Sequence, residues 1–182
     1  MLKKTTRYAE IIHSKRECFL RQLRSWVSKH GFRNVVYFDE SGFQAHSYRP
    51  HGWAVRGQKV FGKVPGNNRK VENLIMAQRG KDWLAPMLFK GSCTHLTVLA
   101  WIEQALIPEL SEPSLVIMDN APFHNKKKMQ EILEKHGHKM LPLPPYSPDF
   151  NPIEQSFAII KKRRTYSNQS LEQVLLRHSY LE

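Results

Sequence analysis

The first regular pattern along the chain is a stripe of hydrophobic residues, which predicts an amphipathic helix over residues 8–29. Basic residues fill many of the positions between them, and Gly31 follows where a glycine is suited to end the helix. The hydrophobic positions of this stripe are Ile11, Ile12, Phe19, Leu23 and Trp26.

Two later runs, at residues 34–39 and 115–119, are almost continuously apolar, and each ends in an aspartate. This pattern is typical of strands that are covered on both faces of a sheet. Further strands are predicted at residues 71–77, 84–89 and 139–143. Between residues 44 and 62, glycine and proline interrupt the chain repeatedly, which predicts short strands and turns.

Apolar residues with i, i+3, i+4 spacing predict a helix over residues 94–110. Asn125 is placed to cap a third helix, which Gly137 would end. The proline-rich segment 142–148 cannot be helical, because proline lacks the backbone donor that a helix needs.

A fourth helix is expected to open at Asn151, with Pro152 at its first position, and a last helix spans residues 170–180. Strands and helices alternate, and the first strands cluster before the first long internal helix. The sequence therefore predicts an α/β domain with a mixed central sheet flanked by helices.

Composition narrows the class of protein. The 182 residues suffice for one domain, no apolar stretch is long enough to cross a membrane, and the first residues lack the apolar region of a signal peptide. Cys18 and Cys93 form no metal-binding pattern and are expected to be reduced thiols. We therefore expect a cytoplasmic protein with no membrane partner.

The formal net charge of +12 favours a polyanionic partner over a merely basic soluble protein. Two basic runs are predicted DNA contacts, since such clusters neutralise phosphates whatever the base sequence. The first run opens a predicted helix, where cations oppose the macrodipole; the second closes one, where a purely structural role stays open. The residues are Lys126, Lys127, Lys128, Lys161, Lys162, Arg163 and Arg164.

Three carboxylates are candidates for a metal site. Asp39 and Asp119 follow buried-type strands, and ligand sites of open α/β sheets lie beyond strand ends. Carboxylates that converge there repel one another unless a cation such as Mg²⁺ lies between them. Each aspartate could instead simply begin a turn. Glu154 stands three residues after Asn151, so a capping box explains it as well as metal binding does.

Four motifs resemble those of IS630-family transposases in the Tc1/mariner superfamily. Residues 36–43 (VYFDESGF) and 115–124 (LVIMDNAPFH) resemble the motifs of the first and second aspartate. Residues 143–157 (LPPYSPDFNPIEQSF) resemble the signature through the third acid, and residues 50–58 resemble the family's Trp-containing segment. The 34 residues between Asp119 and Glu154 match the DD34E spacing of this branch.

The resemblance implies an RNase H-like fold in which adjacent strands present Asp39 and Asp119, and a later helix brings Glu154. These three are the expected catalytic residues and ligands of Mg²⁺ or Mn²⁺, with two ions expected and Asp39 bridging them. Residues expected to support the site are Glu40, Asn120 and His124; for His124, a role as an ordinary turn residue stays open.

Further residues receive weaker assignments. Arg56 is added to the predicted DNA contacts. Trp53 and Tyr146 are candidates for stacking on bases, although core packing is the favoured interpretation for Trp53. Asp149 is read as a turn residue, because Glu154 already holds the position of the third acid.

The implied activity is DNA cleavage and strand transfer in transposition, with transposon ends and a TA target as DNA partners, and a homodimer is expected on DNA. The expected organisation is a basic helical lead-in (1–33), a catalytic domain (34–168) and a C-terminal helix (169–182), for which truncation is left open. A separate helix-turn-helix reading frame could supply specificity. The alternatives are a remnant that only binds DNA non-specifically and a general RNase H-like nuclease.

Overall fold

The computed structural model describes residues 10–44, 51–62, 71–167 and 169–179, and its centre is a five-stranded sheet in the order β3-β2-β1-β4-β5. β1, β2 and β3 pair antiparallel, whereas β4 pairs in parallel with both β1 and β5. The predicted mixed sheet is therefore confirmed. The strands are β1 (Val35–Gln44), β2 (Val71–Arg79), β3 (Asp82–Lys90), β4 (Leu115–Met118) and β5 (Lys139–Pro142).

Six α-helices are described, together with two 3-10 turns at Phe32–Asn34 and Pro148–Phe150. The helix caps predicted from sequence are present at Gly31, where φ is +79°, and at Asn125, whose side chain accepts from the Lys128 amide at 3.2 Å. None of the described helices is long and apolar enough to cross a membrane. The helices are α1 (His13–His30), α2 (His95–Trp101), α3 (Ile107–Glu109), α4 (Lys126–Lys135), α5 (Ile153–Ser167) and α6 (Leu171–Ser179).

The sheet lies between two helical layers, because successive residues of a strand point to opposite faces. On one face, Val36 and Phe38 belong to a cluster with residues of α2 and α4. On the other face, Val35 packs with Phe19 of α1, and Phe43 packs with α5 and α6. The odd-numbered positions of β1 therefore face α1 and α5, which fixes the side on which Asp39 points.

β1 is longer than predicted. It runs five residues beyond Asp39 to Gln44, paired with β2 over its whole second half. Its pairing with β4 stops at Tyr37, so the sheet opens on that side just before Asp39. The prediction that β1 ends at Asp39 is wrong. Its antiparallel partner β2 keeps the backbone extended after the pairing with β4 has ended.

The helix predicted over residues 94–110 contains a π-helical turn at Ile102–Leu106, where the Ile107 amide donates to the Ile102 carbonyl. Pro108 explains the irregularity. A proline lacks the donor and its ring clashes with the carbonyl four residues back, and a wider turn accommodates it. The i, i+3, i+4 spacing of apolar residues predicts the helix but not this π-helical turn.

Part of the segment from 44 to 62 lies outside the described residues, namely 45–50. Residues 51–62 contain a turn at Arg56 and Gly57 but no strand, so the prediction of short strands is wrong there. Trp53 is fully exposed in this segment, at 103% of its reference area. The favoured prediction of core packing for Trp53 is therefore wrong as well.

Candidate active site

The register of the sheet brings the two aspartates together. Val35 pairs with Leu115 and Tyr37 with Ile117 in the parallel ladder of β1 and β4. Continued by two residues, this register places Asp39 level with Asp119, on the same face of the sheet. Asp119 follows the last residue of β4 directly, as the sequence predicts.

Asp39 is a largely buried carboxylate held at both oxygens. Its Oδ2 accepts from the Asn151 side-chain amide at 3.0 Å, and its Oδ1 accepts from the Glu40 backbone amide at 2.8 Å. Burial raises the pKa of Asp39 to about 6, and the negative charges of Asp119 and Glu154 add to this rise. The two hydrogen bonds offset the rise only in part, so the carboxylate is placed where its negative charge is unfavourable without a cation.

Asp119 lies in a different electrostatic environment. Its Oδ1 accepts from the Ala121 amide at 3.1 Å and lies 3.3 Å from His124 Nε2. Burial alone would raise the pKa of Asp119, but the contact with His124, the Ala121 amide and the charge of Lys126 outweigh it and lower the pKa.

Glu154 is exposed in the first turn of α5 and borders the same cleft as Asp119. Burial and the charge of Asp119 raise the pKa of Glu154. The capping box with Asn151 does not form: the Asn151 amide donates to the Pro148 carbonyl, and the Asn151 side chain is turned to Asp39. The side chain of Glu154 is thus left available to the cleft.

The cleft has a volume of about 530 Å³ and lies between the turn after β4, the proline-rich loop and the start of α5. Asp119, Asn151 and Glu154 line it, and Asn151 links it to Asp39. Tyr146, with φ of +54°, stands half-exposed at its rim.

The donor set fits a hard divalent cation, since Mg²⁺ binds through one or two carboxylates and keeps several waters. Three carboxylates whose charges perturb one another face this region. Within the described ranges, no three acidic, histidine or cysteine side chains are close enough to form a ligand cage by themselves.

The predicted supporting residues surround Asp119. Glu40 points to the opposite face from Asp39, as expected for the next residue of a strand, and its Oε2 lies 3.7 Å from His124 Nε2. Burial raises the pKa of Glu40 to about 7, although the nearby His124 opposes this shift. His124 is a buried residue whose ring lies between two carboxylates, so the interpretation as an ordinary turn residue does not hold. Asn120 accepts a hydrogen bond from Lys126.

The predicted DNA-contact residues differ in exposure. Lys127 and Lys128 are exposed in the first turn of α4, and Lys126 is half-buried beside the Asp119 turn. Arg56 is exposed, as are the three residues 161–163. Arg164 is only 7% exposed, with its guanidinium 5.8 Å from the Phe43 ring. Its burial removes Arg164 from the DNA contacts that we retain.

Sequence reasoning missed two residues of the site. Asn151 was read as a helix cap, whereas its side chain contacts Asp39, 112 positions away. Arg16 of α1 binds both Ser147 and Asp149 beside the cleft, and Asp149 lies in the 3-10 turn at Pro148–Phe150, in agreement with its interpretation as a turn residue. No local pattern could have indicated either contact, because each joins segments more than 100 residues apart.

The comparison with family models gives one match: residues 34–175 match the DDE superfamily endonuclease family. No curated protein sequence matches the chain.

Solved structures of the Mos1 mariner transposase share this fold. The paired-end complex with the left transposon end matches with a TM-score of 0.70 and 20% identity, over 91% of this chain and 54% of that one. The paired-end complex with Mg matches with a TM-score of 0.64 and 19% identity, over 88% and 53%. The isolated catalytic domain matches with a TM-score of 0.60 and 15% identity, over 93% and 81%. The predicted RNase H-like fold is confirmed, and the chain spans about half the length of the transposase in the two complexes.

Proposed function

Because the chain belongs to the DDE superfamily endonuclease family, we propose that it is the catalytic part of a transposase that cleaves DNA strands and joins them to a target. Asp39, Asp119 and Glu154 are its proposed catalytic residues and metal ligands. The single observation that carries this proposal is the parallel register that sets Asp39 level with Asp119 beside a cleft that Glu154 borders.

The proposed cofactor is Mg²⁺ or Mn²⁺, and two ions are proposed. Structures of the Mos1 paired-end complex contain Mg or Mn, which supports the same choice here. When bound, divalent metal lowers the pKa of the attacking water or 3′ hydroxyl and stabilises the leaving oxygen in a phosphoryl displacement.

The chain's own residues hold the carboxylates in place for this chemistry. The amides of Asn151 and Glu40 fix both oxygens of Asp39, and the Ala121 amide fixes one oxygen of Asp119. Their preset positions matter, because positioning contributes a large part of the rate of such displacements. Glu154, being exposed, retains the freedom to turn toward the cleft.

Finer assignments extend this proposal. The motifs and the 34-residue spacing support placement in the IS630 branch with a DD34E triad. The proposed partners are transposon-end DNA, a TA target and a second copy of the chain on DNA, with a separate helix-turn-helix polypeptide for end recognition. Residues 34–168 form the proposed catalytic domain, and a cytoplasmic, nucleoid-associated location follows from the DNA partner.

Glu154→Gln tests the proposal, with Glu172→Gln as the matched control. Both glutamates are the exposed second residues of helices, at the starts of α5 and α6. Nicking of supercoiled DNA in Mg²⁺ should fall by orders of magnitude for Glu154→Gln, because the substitution removes the charge that the cation requires. Glu172→Gln should nick at the parent rate.

An equal metal-dependent rate for parent and Glu154→Gln, with a helix-turn-helix module supplied if needed, would show that the third ligand lies elsewhere. A parent that binds DNA but never nicks it would favour the second candidate, a remnant that only binds DNA. The exposed lysines of α4 favour DNA binding in either case.

A further inference from the structure

The N-terminal helix α1 reaches the edge of the candidate site through one side chain. The guanidinium of Arg16 donates to both carboxylate oxygens of Asp149, at 2.9 and 2.6 Å, and to Ser147 Oγ at 2.8 Å. The same guanidinium lies 3.8 Å from the centre of the Phe150 ring. Phe19, one turn along α1, stacks on Phe150 with 5.5 Å between ring centres.

These contacts define the 147–151 loop, which runs from Ser147 to Asn151. A bidentate bond between arginine and carboxylate fixes both distance and orientation, and the Phe150 ring adds a cation–π contact with the guanidinium. α1 therefore holds the loop through three side chains: the hydroxyl of Ser147, the carboxylate of Asp149 and the aromatic ring of Phe150.

The next residue of this loop touches the catalytic aspartate. Asn151 is buried, at 4% exposure, and its Nδ2 donates to Asp39 Oδ2 at 3.0 Å. Its backbone amide donates to the Pro148 carbonyl, so its position follows that of the 3-10 turn at Pro148–Phe150. A continuous set of contacts thus runs from α1 through the loop to the carboxylate of Asp39.

We propose that Arg16 is a positioning residue for the active site: it holds the 147–151 loop so that Asn151 meets Asp39 in the orientation needed for metal binding. α1 is then part of the catalytic unit, although the matched family region begins only at residue 34. The consequence for activity rests on the proposed function, whereas the consequence for the Asn151–Asp39 contact does not.

A spectroscopic test addresses the contact by itself, in Arg16→Gln and in the control Arg24→Gln on the exposed side of the same helix. The Asn151 side-chain amide resonance, identified by its loss in Asn151→Ala, should move toward the free-amide position in Arg16→Gln only. The side-chain amide of Asn73 donates to the Gly91 carbonyl and serves as the internal reference. Its resonance should stay in place in both variants. An unmoved Asn151 resonance in folded Arg16→Gln would overturn the proposal.

A kinetic test uses the full chain and the same variants in Mg²⁺-dependent nicking. We expect kcat for Arg16→Gln to fall about 10- to 100-fold, as for a displacement of about 1 Å in a catalytic group. The Mg²⁺ concentration at half-maximal rate should rise, while the KM for DNA should change less than twofold. Arg24→Gln should leave kcat unchanged. If kcat fell equally in Arg24→Gln and Arg16→Gln, the proposed role of Arg16 would be overturned.

Asp149→Asn gives the reciprocal test. Because Asp149 acts through Arg16, the double variant Arg16→Gln/Asp149→Asn should lose no more activity than Arg16→Gln alone. Multiplied losses would overturn the proposal, since they would mean that the two residues act separately. A parent that does not cleave contradicts the proposed function alone, and the amide resonance then still decides the role of Arg16.

Discussion

The starts of α5 and α6 present nearly the same sequence pattern but different structures. At α6, Ser170 Oγ accepts from the Gln173 amide at 3.1 Å, and Gln173 Oε1 accepts from the Ser170 amide at 2.9 Å. This is a complete capping box. At α5, Asn151 and Glu154 have the same spacing, yet Asn151 bonds to Asp39 and Glu154 faces the cleft.

The difference shows where the fold gives up a local interaction. A capping box contributes to the stability of a helix, and α5 forgoes it at the end nearest the two aspartates. Natural proteins break such local rules mainly at functional sites. The helix that departs from the pattern is therefore the one to examine for function, and α6 serves as its internal reference.

The largest expected contrast is in the rate of DNA cleavage. Asn151→Ala removes the amide that fixes Asp39 Oδ2, so nicking in Mg²⁺ should slow by about 10- to 100-fold. Ser170→Ala removes the corresponding cap of α6 and should change the rate per folded molecule less than twofold. Equal losses in the two variants would mean that both residues act only through stability.

The pH dependence of stability sharpens the contrast at Asp39, the acceptor of the Asn151 amide. Its pKa of about 6 exceeds the ordinary 3.8, so the metal-free folded state binds more protons between these values than the unfolded state does. The free energy of unfolding should therefore fall as pH rises from about 4 to 6, by on the order of 2–3 kcal/mol from this group.

Urea unfolding without metal at pH 4, 5 and 6 measures this slope. Asp39→Asn should flatten it, whereas Asp82→Asn, at an exposed position of β3, should not. Mg²⁺ should stabilise the parent most at the higher pH, where Asp39 is ionised and able to bind it. An unchanged slope in Asp39→Asn would contradict the raised pKa of Asp39.

A smaller effect is expected from the complete cap. Ser170→Ala should lower the free energy of unfolding by about 1 kcal/mol, the usual contribution of such a cap. Chemical denaturation measures this change in the free energy of unfolding, provided that parent and variant depend equally on denaturant concentration. Ser92→Ala, at an exposed position in the loop before α2, serves as the control and should change the value little.

The smallest stability effect is expected at a third helix start, that of α4. Lys127 and Lys128 stand exposed in its first turn, where each cation opposes the macrodipole by about 0.3–1 kcal/mol. Replacing either by alanine should raise stability slightly while weakening DNA binding. The slope of log affinity against log salt should fall by about one for each lysine lost, if each contacts a phosphate. An unchanged slope would remove α4 from the DNA surface.

β4 was predictable from the sequence because all four of its residues are apolar, and the other strands because each contains a run of apolar residues. Runs such as 115–118 cannot avoid burial, and the register then follows from the parallel pairing. Asp119 was placed correctly for the same reason. Asp39 was misplaced at a strand end, because the continuation of β1 depends on β2, more than 30 residues later in the chain.

The remainder of the candidate site depends on tertiary contacts that leave no local pattern. Arg16 is one of many basic residues in its helix, and only the folded chain separates it from Arg24, which is exposed. Arg164 shows the opposite error, since a run of four cations gave no indication that its last member is buried against Phe43.

The contact between Arg16 and Asp149 spans 133 positions, and that between Asn151 and Asp39 spans 112. Contacts between such distant segments form late, since closing a long loop loses chain entropy before any bond repays it. We expect β1 to be complete, with Asp39 in place, before the loop that orients this carboxylate has docked. In pulse-labelled hydrogen exchange during refolding, the Asn151 backbone amide should gain protection after the amides of β1 and β2. The chain would then become competent to bind metal only at the last step of its folding.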